Sequence, residues 1–79
     1  MYWVYVIKSQ IRNYLYIGLT NNLSRRIQQH QQGQNTTTRA YKPFILIYSE
    51  ELDSRILARK REKYLKSGFG RMWIKQNFC

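Results

Sequence analysis

Acidic residues are scarce in this 79-residue chain. Four Asp and Glu stand against fourteen Lys and Arg, a formal charge of +10. Charge kept for solubility alone is a weak account of that imbalance, which predicts attraction to polyanions, nucleic acid ahead of an anionic membrane. Cysteine is nearly absent too: the single one, Cys79, is the last residue. No intrachain disulfide can form, and a reducing, cytoplasmic setting is expected. No apolar run approaches the ~20 residues that span a bilayer, and MYWVYVIKS lacks the basic region and cleavage site of a signal peptide. A soluble protein is therefore expected. With no lipidation motif and no strongly apolar helix face, membrane attachment has no support. One histidine and one cysteine cannot complete a four-ligand zinc site. The absence of G-x-S-x-G, of a Walker loop and of G-x-G-x-x-G removes the corresponding nucleophile and nucleotide-binding schemes.

Hydrophobic residues make up 43% of the chain, enough for one domain around a thin core. YWVYVI (2–7) and YLYIGL (14–19) are β-branched and aromatic, the composition of strands. A four-residue loop over 9–12 pairs Lys8 with Asn13, 7 with 14, Tyr5 with Tyr16 and Trp3 with Gly18. Tyr5 and Tyr16 then become direct cross-strand neighbours, roughly 5 Å apart at Cβ. After Pro43, FILIY is apolar on both faces, which predicts a covered, central third strand.

Helices account for the rest. Asn21 or Asn22 caps LSRRIQQHQQ, which stops near Gly33. Leu23 and Ile27 form its buried side, with Arg26 and His30 four apart on an adjacent stripe. GQNTTTRAYK reads as a polar loop. Asp53 or Ser54 caps a second helix reaching about Ser67, with Leu57, Ala58, Tyr64 and Leu65 as its apolar stripe and Glu62 at the edge. Arg61 falls inside that stripe, where it must snorkel or meet a backbone carbonyl. A short last helix, RMWIKQN, brings Trp73 to the core.

The remaining chemistry-bearing groups are tyrosine, arginine, one histidine and Glu62, the only acid between Arg55 and Lys75. Phosphodiester hydrolysis suits that inventory, since it needs an activated water, positive charge on the phosphate and usually a metal. Each residue also has a plain structural reading. Glu62 could pair with Lys66 or Arg59 along its helix for a few tenths of a kcal/mol, the tyrosines could be packing, and Arg26 and His30 could be ordinary helix-surface groups.

As an ordered set these residues resemble the GIY-YIG nuclease superfamily, in its small single-domain branch. The first motif is degenerate, Val4-Tyr5-Val6, and the second is intact as Tyr16-Ile17-Gly18. Thr20, Asn22-Leu23, Arg25-Arg26 and His30 follow, then Ala58, Arg61-Glu62-Lys63 and Lys66 in the late helix. The resemblance implies an α/β (α+β) fold, a small three-stranded antiparallel sheet flanked by helices, over residues 1–79. It implies metal-dependent cleavage of DNA with one Mg²⁺ or Mn²⁺ held by Glu62. Tyr5 would activate water, Tyr16 orient water or phosphate, and Arg26 steady the scissile phosphate, with Arg25 the alternative. His30 matches a position that is histidine or tyrosine in the family. A free tyrosine pKa near 10 makes Tyr5 a poor base unless cations lower it. With no appended DNA-binding domain in the chain, sequence specificity is expected to be low unless a protein partner supplies targeting. The rival reading is a basic nucleic-acid-binding module without cleavage.

Overall fold

A computed structural model describes residues 1–78; Cys79 lies outside them. Three strands form one antiparallel sheet in the order β2-β1-β3, with β1 at Tyr2–Ser9, β2 at Leu15–Thr20 and β3 at Phe44–Leu52. Three helices cover it: α1 at Leu23–Gln31, α2 at Arg55–Lys66 and α3 at Gly68–Phe78. The expected fold class is the one observed.

β1, not β3, is the central strand, which corrects the reading of FILIY. Val4 to Ile7 are completely buried, each such side chain contributing roughly 1.5–3 kcal/mol. In β3, Ile45 and Leu46 are 48% and 40% exposed. A bulge in its pairing between Val6 and Ile7 of β1 explains the difference. The extra residue, Ile47, reverses the facing of the strand, so Phe44 packs on one side of the sheet and Tyr48 and Leu52 on the other, and a continuous apolar run serves two faces of an edge strand.

The β1–β2 register also departs from expectation. Tyr5 lies opposite Gly18, Ile7 opposite Tyr16 and Lys8 opposite Leu15, a slip of two residues from the Tyr5–Tyr16 and Trp3–Gly18 pairing. Ser9 is the cause. Its hydroxyl accepts from the Ile11 and Arg12 amides at 3.2 and 3.1 Å, while its own amide donates to the Tyr14 carbonyl at 3.0 Å. The turn therefore needs more chain than four residues. An even slip preserves the facing of every side chain, so Tyr5 and Tyr16 still share a face.

That face packs under α1, where Tyr5, Ile7 and Phe44 meet Leu23, Ile27 and Tyr16. The opposite face packs Val4, Val6 and Ile17 against Ala58, Leu65 and Ile74 of α2 and α3, with Trp73 at the margin as expected. Ala58, Glu62 and Leu65 are the buried residues of α2. Leu57 and Tyr64, expected in its stripe, are 48% and 44% exposed. Arg61 takes their place: its Nε donates to Glu50 Oε1 at 2.9 Å, and its guanidinium sits 5.2 and 5.6 Å from the Tyr64 and Trp73 ring centres. Glu50 also accepts from the Tyr48 hydroxyl at 2.6 Å. This buttress on β3, and not a backbone carbonyl, is what permits a charge among apolar neighbours. The last helix runs eleven residues, longer than RMWIKQN alone. Among the described residues no helix is long and apolar enough to cross a membrane.

Candidate active site

Asn22 starts α1, accepting the Arg25 amide on its side chain at 3.1 Å. The far end of the helix is tied down by Gln31. Its side-chain amide donates to the Phe44 carbonyl at 2.6 Å and accepts the Phe44 N–H at 2.7 Å. With both ends fixed, Arg26 and His30, one turn apart, are held over Tyr5.

Tyr5 and His30 are fully buried, and the Tyr5 hydroxyl lies 2.8 Å from His30 Nε2. His30 Nδ1 lies 2.8 Å from the hydroxyl of buried Thr38. Arg26 Nε donates to the Tyr5 oxygen at 3.4 Å. With the proton assigned to Nδ1, the groups form one continuous chain: Arg26 donates to Tyr5, Tyr5 donates to Nε2, and Nδ1–H donates to Thr38. Tyr16, half-buried, stands 6.3 Å from Tyr5 and 5.0 Å from His30 between ring centres. Gly18 makes the arrangement sterically possible, because a Cβ there would clash with the Tyr5 hydroxyl and ring edge. Thus four of the expected residues, Tyr5, Tyr16, Arg26 and His30, come together on one face.

The electrostatics follow from burial. Desolvation lowers His30 to a pKa of about 4, helped by the Arg26 charge, so the imidazole is neutral at pH 7. Desolvation also pushes Tyr5 up to about 12, against the lowering effect of its hydrogen bond from Arg26. The cation expected to make Tyr5 a better base is present, but burial outweighs it. Arg26 is in turn held more firmly charged, chiefly by its hydrogen bond with Tyr5.

Stability should record the buried neutral histidine. In the unfolded chain His30 takes up a proton near its ordinary value of 6.5, whereas the folded protein refuses it until about pH 4. The unfolded state binds more protons across that window, so stability is full above it and falls by up to about 1.4 kcal/mol per pH unit through it. Thermal melts between pH 7 and 4.5 are expected to show this decline, and His30→Gln to flatten it. Equal slopes in both proteins would contradict the assignment.

Glu62 stands in the other layer, on α2. Arg61 faces β3, and Glu62 lies about 100° further round α2. Its side chain is 9% exposed, and Oε1 meets Arg59 at 3.4 Å while Oε2 meets Lys66 at 3.2 Å. Both ion pairs of the plain structural reading are therefore formed. The Glu62 charge is the smallest of the influences on Tyr5, well behind desolvation. Arg25 is exposed and lines a groove with Arg26 and Arg55, but it does not touch Tyr5. Asn77 donates to the Trp73 carbonyl at 2.8 Å and serves its own helix.

Thr38 was not legible in the sequence. Three threonines follow Asn35, whose side chain accepts the Thr37 and Thr38 amides at 2.8 and 3.3 Å. That turn aims the third inward, and Asn35 is the only local signal for it.

Tyr5, Tyr16, Arg26 and His30 thus gather on the sheet face under α1, while Glu62 belongs to α2 on the opposite face. The pattern of the GIY-YIG catalytic domain matches residues 1–77, and the chain belongs to the family. It is similar to UPF0213 proteins. One from Vibrio parahaemolyticus is 39% identical over 64 residues, 80% of this chain and 59% of that protein. One from Clostridium perfringens is 39% identical over 67 residues, 84% and 71% of the two chains. The solution NMR structure of a UPF0213 protein from Bacillus halodurans superposes with a TM-score of 0.58 at 26% identity, covering 96% of this chain and 84% of that one. The chain spans about three fifths of the length of the Vibrio relative.

Members of this family generally use a divalent metal ion. Among the described residues no group of three or more His, Cys, Asp and Glu converges, so a zinc-type cage does not fit. One carboxylate does fit Mg²⁺ or Mn²⁺, which keep most of their water and complete their shell with substrate phosphate oxygens.

Proposed function

We propose that this domain is an endonuclease that hydrolyses DNA phosphodiester bonds with little sequence preference, in repair or processing of DNA. The carrying observation is the buried hydrogen-bonded chain Arg26–Tyr5–His30–Thr38. In so thin a core, desolvating a phenol and an imidazole side by side costs stability that phenylalanine and leucine would not. Packing gives no reason for it, and proton transfer does.

In this reading Glu62 holds one Mg²⁺ or Mn²⁺, which supplies positive charge against the phosphate oxygens when bound. Arg26 meets the scissile phosphate with the guanidinium edge that Tyr5 does not occupy. Tyr16, on the outer side, orients the attacking water. Tyr5 and His30 act as a unit: as the water gives a proton to the Tyr5 oxygen, the hydroxyl proton of Tyr5 passes to His30 Nε2. The pairing gives the phenol an acceptor for its proton; burial and the Arg26 charge hold that imidazole at a pKa of about 4, so the step depends on a bound phosphate offsetting the Arg26 charge.

A binding module without cleavage is the second reading, favoured by the two cations already on Glu62. Incubation with supercoiled, single-stranded and branched DNA, each with Mg²⁺, Mn²⁺ or a chelator, separates the two. Cleavage is expected only with a divalent ion. Tight binding to all three without a cut under any condition would select the second reading.

A further inference from the structure

A second basic groove shares Tyr16 with the site and is not lined by Arg26. Its volume is about 480 Å³, and Tyr14, Tyr16, Lys66, Arg71 and Lys75 line it. Two of these belong also to the catalytic neighbourhood: Tyr16 stands beside Tyr5, and Lys66 holds Glu62. The other two cations come from α3. Gly70 lies so close to the Tyr64 carbonyl and the Leu65 backbone that no Cβ fits there. That contact folds α3 back on α2 and sets Arg71 and Lys75, four apart on one helix face, beside Lys66. Arg71 Nε donates only to the Lys66 carbonyl, at 3.3 Å. Among the described residues neither Arg71 nor Lys75 has an acidic partner, and no acid lines the groove. Lys66 is shared with Glu62, whereas Arg71 and Lys75 keep their charge unpaired for a polyanion.

The groove wall is aromatic as well as basic. Tyr14 stacks on Tyr41, ring centres 3.9 Å apart and 8° from parallel, and leans on Phe44 at 6.5 Å. Its ring is thus fixed before any ligand binds, and the Arg71 charge reaches its phenol. Cations that track a backbone beside a rigid aromatic ring are the combination that grips single-stranded nucleic acid, where unpaired bases offer their faces. The groove on the Arg26 side, with Arg25 and Arg55, supplies charge for the rest of the substrate.

We propose that the Tyr14–Lys75 groove holds an unpaired stretch of the DNA strand next to the scissile phosphate, with Lys66, Arg71 and Lys75 on backbone phosphates and Tyr14 against a base. The placement next to the cleaved bond rests on the nuclease reading; the binding itself does not. The test titrates R71Q/K75Q and wild type with a labelled oligothymidylate and with a duplex of equal length, across a salt series. Both residues are exposed, so the variant is expected to fold. On the single strand the salt slope is expected to fall by about 1.4, two contacts at roughly 0.7 each, with little change on the duplex. Tyr14→Leu, checked for folding by its melt, is expected to lose on the order of tenfold or more in single-strand affinity. An unchanged single-strand slope in R71Q/K75Q would overturn the proposal, and so would an equal fall on both DNAs. A wild-type protein that never cuts DNA but shows the expected slopes would keep the groove and remove the nuclease.

Discussion

Glu62→Gln is expected to reduce metal-dependent DNA cleavage by at least ~100-fold while leaving the fold and DNA binding in place. Glutamine keeps the size and helix propensity of glutamate but carries no charge to hold a divalent ion. Lewis-acid stabilisation is worth several kcal/mol, and each 1.36 kcal/mol is a factor of ten in rate. Stability moves far less. The two partners, Arg59 and Lys66, are 64% and 51% exposed, so breaking both pairs costs about 1 kcal/mol or under. Binding to DNA persists or tightens, because a repulsive carboxylate is gone. A melt, a binding titration and a cleavage assay on one preparation separate ligand from salt-bridge partner. Wild-type cleavage by Glu62→Gln refutes the metal role.

How much of this was readable beforehand depended on whether a residue's partner was local. Caps were legible because they act over three residues: Asn22 and Ser54, each one of two candidates, accept the Arg25 and Leu57 amides. The common face of Tyr5 and Tyr16 survived a wrong register because strand facing has period two and the slip was even. The register itself was hidden in Ser9, whose side chain lengthens the turn. Nothing near Arg61 announces Glu50, eleven residues earlier on another element. Thr38 depends likewise on α1 delivering His30 to it. The candidate site residues form a spaced set in the sequence, whereas the buried network that joins three of them exists only after the sheet and α1 pack.

Removing one oxygen atom from that network is the sharpest test of it. Tyr5→Phe is expected to lower cleavage by about 10²–10⁴-fold, the range of a lost acid–base group, with the sheet intact. The ring stays, so Gly18 keeps its neighbour and the apolar contacts with Ile7 and Phe44 remain. What is lost is the donor to His30 Nε2 at 2.8 Å and the acceptor for Arg26. Leaving a buried acceptor unpaired costs about 1–3 kcal/mol, so the melting temperature falls but folding persists. A purely structural tyrosine predicts that cleavage tracks the folded fraction and returns on cooling. A proton carrier predicts that cleavage stays lost at temperatures where the variant is fully folded. Circular dichroism and cleavage measured on the same samples decide it, and full activity in folded Tyr5→Phe would remove the Tyr5–His30 pair from the mechanism.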